Sequence, residues 1–253
     1  MNFLTQLLHI AGSGAIAYIT SSSVRDPKSR PNVLAGFQMA ESGSVPFLEA
    51  LRDRAKAEGD DWLAVRLDKH ASDEKRHGQI FAHGLKQLNK KVIDFTKLQQ
   101  KKMVDGRPDE QKRSPFFAAY FKGFSQDDLK PQNIDWTVFL ASTYILEFDA
   151  SKDFVRIANA LPIDPVSANL KKGILSVAED ETGHAAYLRE TLERRLGVAK
   201  TQQLIDEWRT RKVNALMATV QNFVQKGGDM GQMTEEGSPV DMEEVRAAEQ
   251  VAA

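Results

Sequence analysis

Residues 72–78 read Ser-Asp-Glu-Lys-Arg-His-Gly, and they contain the pattern Glu-x-x-His at Glu74 and His77. A second copy of the pattern lies at Glu181 and His184. Because residues three apart fall on the same face of a helix, each copy directs a carboxylate and an imidazole the same way. A single copy arises easily by chance in a charged helix, whereas two copies in one chain are stronger evidence for a functional site.

Each copy is preceded by another glutamate at nearly the same distance along the chain. Glu41 precedes the first copy and Glu147 precedes the second. Glu41 falls between Phe37 and Leu48 on an apolar helical stripe, where a carboxylate needs a metal, a cation or a proton to neutralise it. A stripe that drifts and leaves Glu41 at its edge is the alternative. The pattern predicts two helix pairs, each supplying a Glu and then a Glu-x-x-His.

This arrangement resembles the ferritin-like superfamily of non-haem di-iron carboxylate proteins over residues 32–195. The resemblance implies an all-α fold, a ferritin-like four-helix bundle with one long crossover. We expect extra N-terminal and C-terminal helices beside the bundle. Helices are predicted at residues 32–57, 62–88, 134–160, 166–196 and 201–225, with a shorter packing helix within 3–19.

The crossover is predicted at residues 89–133, with an aromatic helix near residues 116–124. It is either a lid or partner surface, or a solvated connection that packs its aromatic rings on the bundle. We expect residues 1–225 to form one bundle domain and residues 226–253 to form a flexible tail, either mobile or lightly docked.

The resemblance also implies a ligand set and a pair of ions. Its six metal ligands are Glu41, Glu74, His77, Glu147, Glu181 and His184. Glu41 and His77 belong to one ion in this assignment. Glu147 and His184 belong to the other, and the two remaining carboxylates bridge. Two iron ions are expected, with a manganese–iron pair left open, because carboxylate and imidazole ligands suit both metals.

Three further polar residues are expected to hydrogen-bond to the metal ligands and hold them in position. Asp73 and Asp180 directly precede the two Glu-x-x-His copies and are expected to orient the imidazoles, ordinary exposed helix charge being the alternative. His70 lies one turn before Glu74, and its counterpart in the second copy is Val177. A hydrogen-bonded supporting role is expected for His70, and an additional ligand is the alternative.

Two hydroxyl side chains flank Glu147 and are candidate catalytic residues. In related oxygenases a hydroxyl one turn after this glutamate lines the oxygen pocket, so Ser151 is expected to relay protons. Tyr144 lies one turn before Glu147, and simple core packing is its alternative role.

Composition narrows the chemistry. The chain has 253 residues, no cysteine and a formal net charge of −1. Without cysteine it cannot hold an iron–sulfur cluster, so any electrons that its reaction needs come from elsewhere. For the oxygenase that the resemblance implies, the expected donor is an external ferredoxin or reductase. The net charge gives no general attraction to nucleic acid, although the basic stretch 97–113 leaves a tRNA substrate open. No stretch is long and apolar enough to span a membrane, and a cytoplasmic location is expected.

The function expected from the resemblance is an O2-dependent oxidoreductase that hydroxylates, desaturates or cleaves an apolar small-molecule or acyl substrate. The phenylalanines expected to line an apolar channel, with plain core as the alternative, are Phe37, Phe81, Phe139, Phe148 and Phe154. A ferroxidase or iron-storage protein, or a rubrerythrin-like peroxidase, is the alternative function. A bundle with accidental motifs is the third reading. A monomer or homodimer is expected for the oxygenase, and a large shell for storage.

Overall fold

The computed structural model describes residues 3–92, 103–104, 107–108, 114–225, 227 and 233–237. Its helices are α1 (Phe3–Arg25), α2 (Arg30–Ala57), α3 (Asp61–Gln87), α4 (Pro115–Tyr120), α5 (Trp136–Ala160), α6 (Pro165–Leu196) and α7 (Val198–Gln225). Its short strands are β1 (Lys90–Val92), β2 (Met103–Val104), β3 (Arg107–Pro108) and β4 (Thr234–Glu236). The predicted all-α helical bundle is confirmed.

Local chemistry fixes where the long helices begin and end. Asp60 accepts a hydrogen bond from the Leu63 backbone N–H at 3.0 Å and caps α3. Asp164 caps α6 in the same way, with Pro165 in the first turn where its missing N–H is harmless. Gly197, with a φ of 77°, ends α6. The caps at Asp60 and Asp164 therefore fix the short turns that join α2 to α3 and α5 to α6.

The four longest inner helices pack as two pairs. Helix α2 packs against α3, and α5 packs against α6, while α3 also contacts α6. Short turns join the members of each pair, so each pair is antiparallel. Helix α7 packs over α1, α4, α5 and α6, outside the two pairs. The two Glu-x-x-His copies therefore come from the facing helices α3 and α6.

The apolar core is divided into two clusters. One cluster contains Leu48, Leu67 and Leu188, and the other contains Leu34 and Phe81 among its buried members. The sequence explains the division, because each of the four helices has an apolar segment, then Glu or His, then another apolar segment. A layer of ionisable side chains therefore crosses the middle of the bundle.

The described part of the crossover places its aromatic rings on α7. Helix α4 is shorter than the predicted aromatic helix, and the Tyr120 ring packs against Trp208 with centroids 5.1 Å apart. The Tyr120 hydroxyl donates to the Ser142 carbonyl oxygen at 2.8 Å. Most of residues 93–113 lie outside the described residues, so the predicted lid stays a prediction there.

Two terminal segments pack beside the bundle. Helix α1 extends to Arg25, beyond the predicted end near residue 19, and packs on α2, α5 and α7. The described part of the tail is docked, because β4 pairs with β1 in an antiparallel sheet and the Met233 N–H donates to Asn32. In the described residues no helix has both the length and the apolarity needed to cross a bilayer.

Candidate metal centre

The structure brings the six predicted ligands together in the layer between the apolar clusters. His70 joins them, so that seven ionisable side chains meet. All are buried except Glu147, which is half-buried, and His77 has no exposed surface. The ligands arise from four helices: α2 and α5 supply one glutamate each, and α3 and α6 supply the rest.

These side chains form two groups of four. The first group is Glu41, Glu74, His77 and Glu181, and the second is His70, Glu74, Glu147 and His184. Within each group the ligand atoms lie within 4.8 Å of one another. Glu74 belongs to both groups, which places its carboxylate between two positions for an ion.

Glu181 also faces both groups. Its Oε1 lies 3.3 Å from His77 Nδ1, and its Oε2 lies 3.1 Å from His184 Nδ1. Glu74 Oε1 lies 3.6 Å from His77 Nδ1 and 3.7 Å from His184 Nδ1. Both carboxylates therefore lie between the two motif histidines.

The two supporting aspartates are crossed between the copies. His77 Nε2 lies 3.2 Å from Asp180, and His184 Nε2 lies 3.1 Å from Asp73. Because an ionised carboxylate only accepts hydrogen bonds, each Nε2 carries the proton and each Nδ1 is directed at the glutamates. Each aspartate thus orients the histidine of the other helix, which the sequence spacing did not reveal.

Cations on α3 pair with both of these aspartates. Lys69 donates to Asp73 at 2.6 Å, and Arg76 donates to Asp180 and to Ser176. Burial acts to raise the pKa of Asp73, but hydrogen bonds from His184 and Lys69 outweigh it and hold the pKa well below the ordinary value. Asp73 therefore stays a charged acceptor near neutral pH.

The glutamates divide into two kinds by their pKa. Burial raises the pKa of Glu41 and Glu147 well above the ordinary value. Burial also acts to raise the pKa of Glu181, but a hydrogen bond from His184 and the facing His77 imidazole lower it to about 2. The imidazoles of His70 and His77 face Glu74 and lower its pKa against the effect of its burial.

The imidazoles complete this proton balance. Burial alone lowers the pKa of His77, but the carboxylates of Glu181, Glu41 and Glu74 facing its Nδ1 outweigh burial and raise the pKa to about 12. Against the effect of its burial, Asp73 and Glu181 raise the pKa of His184 as well. Without ions, protons therefore neutralise the buried carboxylates.

The donor set fits a pair of divalent cations. Four ionised glutamates carry four negative charges, which two divalent ions balance. The Nδ1 atom of His77 is buried and has no hydrogen-bond partner among the described residues, although three carboxylates face it. Donors about 2.1 Å from one ion lie about 3.0–3.4 Å apart, close to the distances found here. Buried Glu and His groups that can hold metal are therefore present.

His70 and Ser44 add contacts that the ligand pattern did not predict. His70 Nδ1 lies 2.8 Å from the Tyr187 hydroxyl, and its Nε2 lies 3.3 Å from Glu74 Oε1. Ser44 Oγ lies 3.0 Å from Glu74 Oε2. The only sequence signal for Ser44 is its position one helical turn after Glu41.

A cavity of about 700 Å³ adjoins the carboxylate layer between α2 and α5. Most of its wall is apolar, and Glu41, His70, Glu74, Glu147 and Glu181 contribute polar atoms to it. Its aromatic wall consists of Phe37, Phe47, Phe117, Phe121, Phe139 and Phe154. This volume is within the usual range for small-molecule sites.

The predicted channel phenylalanines take three different positions. Phe37, Phe139 and Phe154 line the cavity. Phe81 is fully buried in the core, and Phe148 lines a second cavity of about 690 Å³ between α5 and α6. The channel interpretation therefore fits three of the five rings.

The candidate catalytic residues Ser151 and Tyr144 are not in the cavity beside the carboxylates. Both line the second cavity, and the Ser151 hydroxyl donates to the Phe148 carbonyl oxygen at 2.9 Å. At about 100° per residue, positions three before and four after Glu147 are rotated toward α6. Thr143 is rotated the other way and lines the first cavity. Sequence spacing placed both residues one turn from Glu147 but did not show which cavity they line.

Comparisons with protein-family models, with curated proteins and with solved structures found no match to this chain.

Proposed function

We propose that this protein is a ferritin-like di-iron oxidoreductase that uses O2 to oxidise an apolar substrate. The observation that carries the proposal is the pair of four-residue groups sharing Glu74, open to a cavity with a mainly apolar wall. A storage or ferroxidase site needs a path for hydrated ions, which a wall rich in phenylalanine does not favour. The proposed product is a hydroxylated, desaturated or cleaved substrate.

Glu41, Glu74, His77 and Glu181 would hold one ion, and Glu74, Glu147 and His184 would hold the other. A redox-active pair held there would supply electrons and open coordination positions for the reduction of O2. Oxygen and imidazole donors suit iron or manganese, so an iron pair is proposed and a manganese–iron pair is a variant of it.

Residues around the centre supply orientation. Asp73 and Asp180 hold protons at Nε2 of His184 and His77 and so fix both imidazole rings. Ser44 holds Glu74 by a hydrogen bond at Oε2, which directs Oε1 toward the histidines.

The cavity would bind the substrate and exclude water. Its phenylalanine rings are suited to an aliphatic or aromatic body, whether a small molecule or an acyl chain. Ser142 and Thr143, rather than Ser151, are the α5 hydroxyl residues that line this cavity and would face bound substrate. Because the chain has no cysteine, the electron donor would be a separate ferredoxin or reductase.

The test is to load the protein with Fe(II) without oxygen and then add O2. The O2 consumed, the iron retained per chain and the size of the protein assembly are measured. An oxygenase should consume one O2 for each pair of irons and hold about two irons per chain as a monomer or homodimer. Iron that accumulates far beyond this in a large shell would replace the proposal with storage. Rapid turnover of hydrogen peroxide without O2 uptake would instead indicate a peroxidase.

A further inference from the structure

We infer that His70 is a third imidazole ligand and that the two metal positions are therefore unequal. This inference rests on the proposed metal centre. The position beside Glu147 would have two imidazoles, His70 and His184, and the position beside Glu41 would have His77 alone.

The first argument is the orientation of the His70 ring. Its Nδ1 lies 2.8 Å from the Tyr187 hydroxyl, and both side chains are buried. A phenol oxygen can accept a hydrogen bond from Nδ1–H, which leaves the Nε2 lone pair available to a cation. Tyr187 thus orients the His70 ring, as the aspartates orient the rings of His77 and His184. In His70 it is Nε2 that faces the glutamates, whereas in the other two histidines it is Nδ1.

The second argument is distance. His70 Nε2 lies 3.3 Å from Glu74 Oε1 and 3.6 Å from Glu147 Oε1. Both separations exceed the usual N–H···O range, which ends near about 3.2 Å, so Nε2–H would have poor acceptors there. Two donors bound to one ion at octahedral or tetrahedral angles are separated by about 3.0–3.4 Å. The separation from Glu74 fits shared coordination better than a hydrogen bond.

The third argument is that the His70–Tyr187 pair occurs in only one half of the bundle. The position matching His70 is Val177, which is fully buried in the apolar core. The position matching Tyr187, three residues after the motif histidine, is Ile80. Both members of the His70–Tyr187 pair are therefore absent from the other half, as expected if the pair functions as a unit.

Unequal positions should fill in order. Affinity for Zn²⁺ or Co²⁺ rises with nitrogen donors, so the position with two imidazoles should take up the first equivalent. The remaining position, which has one imidazole and three carboxylates, should fill second.

The test is side-chain ¹⁵N NMR of histidine-labelled protein during titration with Zn²⁺, a diamagnetic probe that imidazole binds well. Three of the five histidines should shift at saturation. His70 and His184 should shift at the first equivalent and His77 at the second. His70 should bind through Nε2 and retain Nδ1–H, whereas the other two should bind through Nδ1.

Matched variants assign the signals and measure the affinity. His70→Val, which copies the residue at Val177, should weaken the first Zn²⁺ step by about tenfold or more and bring the two steps together. Tyr187→Phe should weaken the same step in the same direction. His83→Val changes a histidine of α3 that is outside both groups, so it should leave both steps unchanged.

Shifts confined to His77 and His184, or an Nε2–H on His70 at saturation, would overturn the inference and leave the metal centre intact. No histidine shift at all would overturn both the inference and the proposed function.

Discussion

Loading the buried cluster with Zn²⁺ at pH 6 should release roughly three protons or more per chain, because the ligands must lose their protons to bind metal. Burial raises the pKa of Glu41 and Glu147 well above the ordinary value, which favours the protonated form of each carboxyl in the ion-free protein. The pKa of His77, despite its burial, is raised to about 12 by the carboxylates around it. His184, whose pKa is also raised, adds to the release.

The assay is isothermal titration calorimetry in two buffers of equal pH and different ionisation enthalpy, from which the number of released protons follows directly. Glu41→Gln should release about one proton fewer, because the amide has none to lose. Glu179→Gln changes an exposed glutamate of the same chain and should release as many as the unsubstituted protein.

A release of less than one proton per chain would refute this reasoning, since His77 alone holds one at this pH. An equal effect of Glu41→Gln and Glu179→Gln would refute the assignment of protons to the buried cluster.

Four further results are expected. Asp180→Asn keeps an acceptor but removes its charge, and should weaken metal binding by about tenfold in a competition titration. Ala150→Leu should reduce binding of an apolar fluorescent probe to the first cavity without changing metal content, whereas Ala186→Leu, in the second cavity, should not. Gly173→Ala should destabilise by about 1–3 kcal/mol in urea unfolding, because its Cβ would lie 2.6 Å from an α3 side chain. Gly183→Ala meets open space and should stabilise by about 1 kcal/mol. Finally, the rise in Tm on adding Zn²⁺ should grow from pH 6 to pH 8. The raised pKa values mean that the folded, ion-free cluster holds more protons than the unfolded chain, so the stability of the ion-free protein falls as pH rises. Over the same range metal affinity increases, because the ligands lose their protons. A constant rise in Tm would contradict that sign.

The helical period made the ligand layer predictable from sequence. Glu-x-x-His on an apolar stripe places both side chains on the buried face, and the two preceding glutamates follow the same rule. The caps at Asp60 and Asp164 depend only on residues next to them in the sequence, because capping chemistry is local. Asp73 and Asp180 could also be predicted as supporting residues, because each directly precedes a Glu-x-x-His copy.

Contacts between helices were not predictable in this way. The crossing of Asp73 to His184 and of Asp180 to His77 depends on how α3 and α6 face each other. His70 joins the cluster because Tyr187 of the facing helix holds its ring. A spacing pattern within one helix carries no information about either contact.

The side of a helix that faces a cavity was also beyond the sequence. Ser151 and Tyr144 are one turn from Glu147, as expected, but they line the cavity on the α6 side of α5, whereas the cavity beside the carboxylates lies on the α2 side. The docking of β4 on β1 joins segments that are far apart in sequence and short in length, so no period signals it.

The central claim is that one shared carboxylate organises two metal positions, and metal content per chain tests it most directly. Protein loaded with Fe(II) under argon and then desalted should retain about two irons per chain, Glu41→Ala about one, and Glu74→Ala almost none, because Glu74 belongs to both groups. Retention of less than one iron by the unsubstituted protein, or an unchanged iron content in Glu74→Ala, would contradict the account.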